Sequence, residues 1–392
     1  MEEQVKKERL VSLDALRGAN MLCIIGGSAA VLALCKWLGW GTDCWLARQM
    51  QHPFWHWSEF AQHDTIFPLF LFLAGVSWPF SLAGQRNRGR STGRILLKIA
   101  LRVLALFLLG IVSANLFAFK FETTRYDSIL FHIGFCWAVA AMLYMFVKRP
   151  WVRLVIAGAL LLGHWLLLLC FRAPDAAALL ASTDPEVAKR VASYAAWGTD
   201  NFSFTGNIAG WIDRTFMPGR LYEGFFDPDG TMAKLTGIVT ALFGTMAGEV
   251  LRRREWSGNR RTLVLLGSAA ATCALTLVWM PWCPINKKIW TSTFILAVGS
   301  YSFLMLALFY WIIDVRGCRR WAFFFQVIGM NSITIYVGSR FLGFRGIANF
   351  FLSGVASLGN ADYYAFVMAL GTIAVEWLFL YWLYRQKVFL RV

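Results

Sequence analysis

Apolar residues along this chain gather into stretches of about 18 to 24 positions without interior charge, long enough to cross a hydrocarbon core of roughly 30 Å as helices. In lipid only helices or closed barrels satisfy their own backbone polar groups, and stretches of this length exceed ordinary strands. The pattern predicts ten transmembrane helices, over 19–38, 66–84, 96–118, 128–147, 152–171, 232–250, 262–281, 289–313, 322–342 and 362–384. The expected fold class is all-α: a polytopic membrane helical bundle. The organisation expected is a single transmembrane domain over 1–392, with residues 172–231 inserted as an outer cap between the fifth and sixth helices. Within that insert, Ala176–Ala181 and Pro185–Ala196 read as short helices and Gly206–Gly230 as loop. A connection of this length is too long to be passive. No internal repeat is visible, which weakens an inverted-repeat transporter reading.

Composition agrees with the pattern: 58% of residues are hydrophobic and 15% charged, against roughly 25% charged in a soluble domain. The formal charge of +16 is spread over membrane-flanking turns and forms no single patch, so topology explains it better than nucleic acid does. Of the 38 Lys and Arg residues, 22 fall in six short segments: Lys6–Arg9, Arg86–Lys98, Lys148–Arg153, Arg252–Arg261, Arg316–Arg320 and Arg385–Arg391. These alternate with poorer loops, and loops retained in the cytoplasm carry such an excess. Ten crossings then place both termini in the cytoplasm. The polar start runs into an apolar segment too long for a signal-peptide core, so no cleaved leader is expected. The eight cysteines form no Cys-x-x-Cys pair and read as lipid-facing or core thiols, with one bridge, Cys44–Cys283, open between outer loops.

Several polar residues sit at membrane depth. Asp14 and Arg17 lie three apart and can share a helix face, as an ion pair or as part of a nucleotide site. Glu376, within the last span, should face the bundle paired or protonated, since a carboxylate there costs at least about 2.5 kcal/mol on insertion scales. Asn331 and Ser332 interrupt an apolar helix, where they bond a neighbouring helix or a bound ligand. His164 reads as a packed residue. No P-loop or Gly-x-Gly-x-x-Gly is present, so phosphates would be met by scattered guanidinium groups, with Arg17, Arg94 and Arg102 the candidates against a lipid-anchoring reading. His52, His56, His63 and Asp64 cluster in sequence and numerically provide a zinc ligand set, but Pro53 disfavours a regular helix that would align His52 with His56, loop histidines are often simply solvated, and no metal is expected.

Motifs in order along the chain carry a resemblance. Arg9-Leu-Val-Ser-Leu-Asp-Ala-Leu-Arg-Gly18, Asp64-Thr-Ile-Phe-Pro-Leu-Phe-Leu-Phe-Leu-Ala-Gly75, Ile212-Asp-Arg214 and Asp227-Pro-Asp-Gly230 come first. Pro284-Ile-Asn-Lys-Lys-Ile-Trp290, Gly329-Met-Asn-Ser-Ile-Thr-Ile-Tyr-Val-Gly338 and Tyr384-Arg-Gln-Lys-Val-Phe389 follow. Together they resemble the heparan-α-glucosaminide N-acetyltransferase family, in a bacterial-type form. The resemblance implies a membrane enzyme that takes an acetyl group from cytosolic acetyl-CoA and passes it to a glucosamine amine across the membrane. A bacterial inner membrane and a homodimer are the setting it suggests.

The family's active-site histidine lies in the first outer loop, and His52-Pro-Phe-Trp55 fits that description. His52 is then expected as the general base, since an ammonium must lose a proton before attacking a thioester and imidazole titrates near physiological pH. An acetyl-histidine intermediate is the alternative. Ser28 stands where the family's first helix offers an asparagine near the acetyl site, and Asp64 completes the catalytic set. Asp14, Arg17, Arg94, Arg102, His132, Asn331 and Ser332 are the expected donor-binding residues, and Trp55, Trp57, Asp213 and Arg214 the acceptor-side ones. His132, in Leu130-Phe-His-Ile-Gly134, replaces the arginine of a family Leu-Gln-Arg-x-Gly motif, and His52 stands about two residues further from the Asp64 helix than in the family. Two other classes stay open: an O-acyltransferase of cell-envelope glycans, and a transporter or flippase for a sugar-linked substrate.

Overall fold

The computed structural model describes residues 10–52, 60–113, 124–194, 198–222 and 224–390. In chain order the helices are α1 (Val11–Leu22), α2 (Ser28–Trp37), α3 (Trp45–Gln49), α4 (Gln62–Arg86), α5 (Thr92–Ser113), α6 (Ile129–Phe146) and α7 (Pro150–Cys170). There follow α8 (Ala176–Leu180), α9 (Pro185–Ser193), α10 (Ile208–Phe216), α11 (Thr231–Arg252), α12 (Gly258–Trp279) and α13 (Ser292–Phe309). The last are α14 (Ala322–Met330), α15 (Ser332–Phe341), α16 (Phe344–Ala356) and α17 (Ala361–Arg385). Among the described residues the only extended pairings are two isolated bridges, Arg125 with Gly219 and Arg172 with Asn207. The fold is an all-α polytopic bundle. Nine of the described helices are long and apolar enough to cross a membrane, or ten if the bent pair α14–α15 counts as one span.

The chain divides into two compact units. One holds residues 51–253 and 268–302; the other holds residues up to 50, 254–267 and 303–391.

The centre of the first unit is the seam between α4 and α11. It closes because small residues face each other: a Cβ on Gly75 would lie 2.2 Å from the Ala241 carbonyl oxygen, and one on Gly244 would lie 2.0 Å from that of Phe72. Backbone-to-backbone approach of this kind is how helices associate in lipid, where burial of apolar surface supplies little drive. Phe72, Leu73 and Val76 of α4 and Val239, Ala241 and Leu242 of α11 are wholly buried. Pro68 within α4 has no amide to offer the Asp64 carbonyl, which loosens the helix at the end carrying Asp64. The segment 172–231 packs on this bundle through a cluster of Leu168, Phe202, Ala209, Met232, Cys283 and Ile289.

In the second unit α1 packs on α14 by the same device: a Cβ on Gly18 would lie 1.8 Å from the Phe325 carbonyl oxygen, and one on Gly329 equally close to that of Asp14. The α1 amide of Ser12 donates to Asp314 Oδ2 at 3.2 Å, which supplies an anion at the helix N-terminus. Between α1 and α2 a π-helical turn, Cys23–Gly27, carries Gly26 at φ +141°, a conformation glycine adopts without strain.

Three expectations are corrected and one is refined. The first membrane helix begins at Val11, with Ser12, Asp14 and Asn20 buried. The span expected over 322–342 is present as a pair of helices that meet at 69°, because Asn331 leaves helical geometry and turns its side chain to the C-terminal backbone. Its Nδ2 donates to the Val388 carbonyl at 3.1 Å, and its Oδ1 accepts from the Leu390 amide at 3.4 Å. The loop expected over 206–230 contains α10, whose N-terminus is capped by Asn207, the side chain accepting from the Gly210 amide at 2.6 Å. The Cys44–Cys283 bridge is not formed: all eight cysteines are free thiols.

Candidate active site

His52 and Asp64 flank residues 53–59, which lie outside the described residues together with Trp55, His56 and Trp57. Asp64 sits in the first turn of α4 with its side chain 6% exposed, and His52 Nδ1 lies 2.7 Å from Asp64 Oδ1 with its ring half-exposed. Lys287 reaches the same point: its Nζ is 3.1 Å from His52 Nδ1 and 3.4 Å from Asp64 Oδ1. A single proton arrangement lets one acceptor serve both neighbours. His52 Nδ1–H and the Lys287 ammonium both donate to Asp64 Oδ1, and in the neutral ring this tautomer leaves Nε2 as the acceptor. The His63 ring stands edge-on to that of His52, with centroids 4.5 Å apart.

Lys287 was not singled out from sequence, although it lies within Pro284-Ile-Asn-Lys-Lys-Ile-Trp290. The turn holding it is built from its own side chains. The Lys288 amide donates to Asn286 Oδ1 at 2.8 Å, the Asn286 amide to Thr291 Oγ1 at 3.0 Å, and the Thr291 amide to the Asn286 carbonyl at 3.1 Å. Trp290 closes the turn at φ +47°, an uncommon conformation for a bulky residue. Its ring is wholly buried against Phe67, His132 and Phe294, and its carbonyl accepts from Thr236 Oγ1 at 2.9 Å. Phe67 is one helical turn beyond Asp64, so the contact that seats Trp290 also fixes Lys287 against the carboxylate. Burial pushes the Lys287 ammonium below its usual range, while Asp64 and Asp229 act to hold it up. Burial likewise takes Lys288 down to about 7.

Beside this cluster lies a buried ionic network. Arg125 donates to Asp227 Oδ2 at 2.7 Å and to Asp229 Oδ2 at 2.6 Å. Burial works against its charge, but the two carboxylates outweigh it and hold the guanidinium above its usual range. Lys234 pairs with Asp127 and donates to the Asp229 carbonyl at 3.0 Å. His132 is fully buried, with Nδ1 3.3 Å from that same carbonyl and Nε2 without a protein partner among the described residues. Asp213 accepts from the backbone amides of Asp227 and Thr231, both at 3.1 Å, and burial pushes its carboxyl up to about 7. Arg214 is engaged by Asp175 and the Phe225 carbonyl. Asp213 and Arg214 therefore brace the segment 172–231 from within.

Of the other expected residues, Arg94 is exposed at the start of α5, and the Arg102 guanidinium stacks 4.2 Å from the centre of the Trp137 ring. In the second unit Arg17 Nη1 donates to Asp14 Oδ1 at 3.2 Å, Ser28 is buried at the start of α2, and Ser332 Oγ donates to the Gly329 carbonyl at 2.9 Å. Among the described residues no group of three or more His, Cys, Asp or Glu side chains is arranged to hold a metal ion.

A polytopic α-helical membrane protein with a histidine–carboxylate–lysine cluster at the entrance of one membrane helix is what these features define. No protein-family model matches the chain. Among curated proteins it is similar to heparan-alpha-glucosaminide N-acetyltransferase of Homo sapiens, 25% identical over 385 residues, covering 86% of this chain and 55% of the relative. The same enzyme of Mus musculus is 25% identical over 334 residues, covering 73% of this chain and 48% of the relative. The chain thus spans about half the length of the curated relatives it matches, and this similarity supports the family resemblance carried by the motifs.

Proposed function

We propose that this chain is a transmembrane N-acetyltransferase that moves the acetyl group of acetyl-CoA, held on the cytoplasmic face, to the amine of a glucosamine-type sugar on the opposite face. The observation that carries the reading is the 2.7 Å contact between His52 Nδ1 and Asp64 Oδ1, in a chain similar over most of its length to two enzymes with that activity. An Asp–imidazole pair of this kind fixes the tautomer that makes Nε2 a base and stabilises the imidazolium that forms.

The acceptor nitrogen attacks the thioester carbonyl carbon, and His52 Nε2 takes the proton the nitrogen sheds. The C–S bond breaks, the electron pair leaves on sulfur as CoA thiolate, and the imidazolium returns its proton to that sulfur or to water. Ser28 is assigned to the thioester oxygen. Asp14, Arg17, Arg94, Arg102, His132, Asn331 and Ser332 are assigned to the donor, with guanidinium groups meeting its phosphates. Trp55 and Trp57 are assigned to the sugar face, and Asp213 and Arg214 to the outer segment that roofs the acceptor. The whole of 1–392 acts as one domain, with 172–231 as its cap, both termini cytoplasmic, and the protein an inner-membrane homodimer.

The test is acetyl transfer by purified protein, followed as free CoA released and N-acetylglucosamine formed. His52→Ala should cut turnover by roughly 10²–10⁴-fold, the usual worth of a general base, while acetyl-CoA still raises the melting temperature. Unchanged turnover in a folded, donor-binding His52→Ala protein overturns the mechanism. Transfer to a sugar hydroxyl alone would move the reading to an O-acyltransferase, and passage of unmodified sugar across vesicles to a transporter. Label retained on the wild type from radiolabelled acetyl-CoA without acceptor, and absent in His52→Ala, would place the acetyl group on the imidazole first.

A further inference from the structure

We propose that Lys287 is a positioning residue of the transfer reaction: its ammonium stands against Asp64 and His52 Nδ1 and keeps the pair in the state in which Nε2 is free to act as base. The inference rests on the acetyl-transfer reading and adds a third member to it.

Three observations support it. The contacts of Lys287 Nζ, 3.1 Å from His52 Nδ1 and 3.4 Å from Asp64 Oδ1, form a triangle with the 2.7 Å histidine–carboxylate bond. The side chain is 20% exposed, so its charge is little screened by water. The turn that presents it is held by four hydrogen bonds and by a wholly buried Trp290 in a strained backbone conformation, and strain of this kind persists only where the surroundings over-determine it.

The chemistry follows from charge. A buried carboxylate alone beside imidazole favours the doubly protonated ring, which is no base. A cation at Nδ1 opposes that protonation and offsets the carboxylate, so the pair retains the Nδ1–H form and its bare Nε2. During turnover the imidazolium forms next to Lys287, which drives its proton on towards the leaving sulfur. Among the described residues the other charged or titratable groups facing the pair are His63 on α4, Lys288 on the same turn and Asp229 ahead of α11. All three remain in the variants, so a difference between variants reports Lys287.

Turnover is measured against pH for wild type, Lys287→Met and Lys287→Arg. Without the cation the His52–Asp64 pair takes up its proton more readily, and the acidic limb of the profile should move to higher pH by about one unit, the low end for a charge within a few ångströms because the ring is half-exposed. Lys287→Arg keeps the charge and should leave the limb in place. A merely structural lysine would lower kcat in Lys287→Met without moving the limb, and that result overturns the proposal. If Lys287→Met fails to fold, Lys287→Gln carries the same test, since it removes the charge and keeps a donor. Loss of transfer in His52→Ala with an unmoved limb in the uncharged Lys287 variant refutes this inference alone. Undiminished transfer in His52→Ala refutes the reading beneath it.

Discussion

Replacing Asp64 by Asn keeps the shape of the side chain and removes the charge that His52 leans on. The structure makes the consequence calculable in outline. Two opposite unit charges 2.7 Å apart interact by roughly 6 kcal/mol at an effective dielectric of about 20. The His52 ring is half-exposed, so water screens much of this, and about 3–4 kcal/mol is a reasonable share for the imidazolium formed in the transition state. At 1.36 kcal/mol per factor of ten, kcat should fall roughly 10²–10³-fold. The amide can also turn its NH₂ towards Nδ1, which moves the ring proton to Nε2 and removes the base; this adds to the loss. Purified protein, acetyl-CoA and glucosamine suffice for the assay, with donor-induced thermal stabilisation as the check on folding. Because His52 and Asp64 act as one unit, the double variant His52→Ala/Asp64→Asn should be no slower than His52→Ala alone. Asp64→Asn within threefold of wild type, or losses that multiply in the double variant, would refute the reasoning.

Two further outcomes follow from the packing and the charges. Gly244→Leu should lower the melting temperature by several degrees and take activity with it, because a Cβ there meets the Phe72 carbonyl oxygen at 2.0 Å and backbone cannot yield as side chains do in ordinary overpacking, itself worth about 1–3 kcal/mol. Gly84→Ala on the same α4 helix, where a Cβ would meet open space, should leave melting unchanged or slightly raised; equal losses at the two positions would contradict the seam. Asp213, raised to about 7 by burial from an ordinary 3.8, binds more proton folded than unfolded between those values. Its contribution to stability should therefore be full below about pH 4, decline as pH rises to 7 and level off above. Asp213→Asn should flatten that part of the melting-temperature profile, and an unchanged slope in the variant would show that another group carries it.

Much of the bundle was legible because hydropathy over about twenty residues reports lipid exposure directly. What escaped it are places where polar groups are buried within the protein. Ser12 and Asp14 extend the first helix well ahead of its apolar stretch because they are covered by neighbouring helices, and hydropathy counts them as surface. The bend at Asn331 was hidden because one asparagine does not lower the mean hydropathy of its stretch, while its hydrogen bonds to Val388 and Leu390 come from far along the chain. α10 was concealed by its nine-residue length, although Asn207 before Ile208 and Ile212 was an available cap signal. His52 and Asp64, twelve residues apart, were each legible as candidates, but the 2.7 Å approach of Nδ1 to Oδ1 was not. Lys287 was not, since 235 residues separate it from His52 and only the folded seat of Trp290 puts them side by side.

Transfer of acetyl across the membrane, with neither substrate crossing, can be followed in vesicles holding the protein in one orientation. Acetyl-CoA is supplied to the face carrying the arginine-rich turns and glucosamine to the other. N-acetylglucosamine should form in the glucosamine compartment, with one free CoA on the donor side for each acetyl moved, and neither signal should appear with His52→Ala. Product formed only when both substrates share a compartment, or glucosamine crossing without acetylation, would contradict transfer across the membrane.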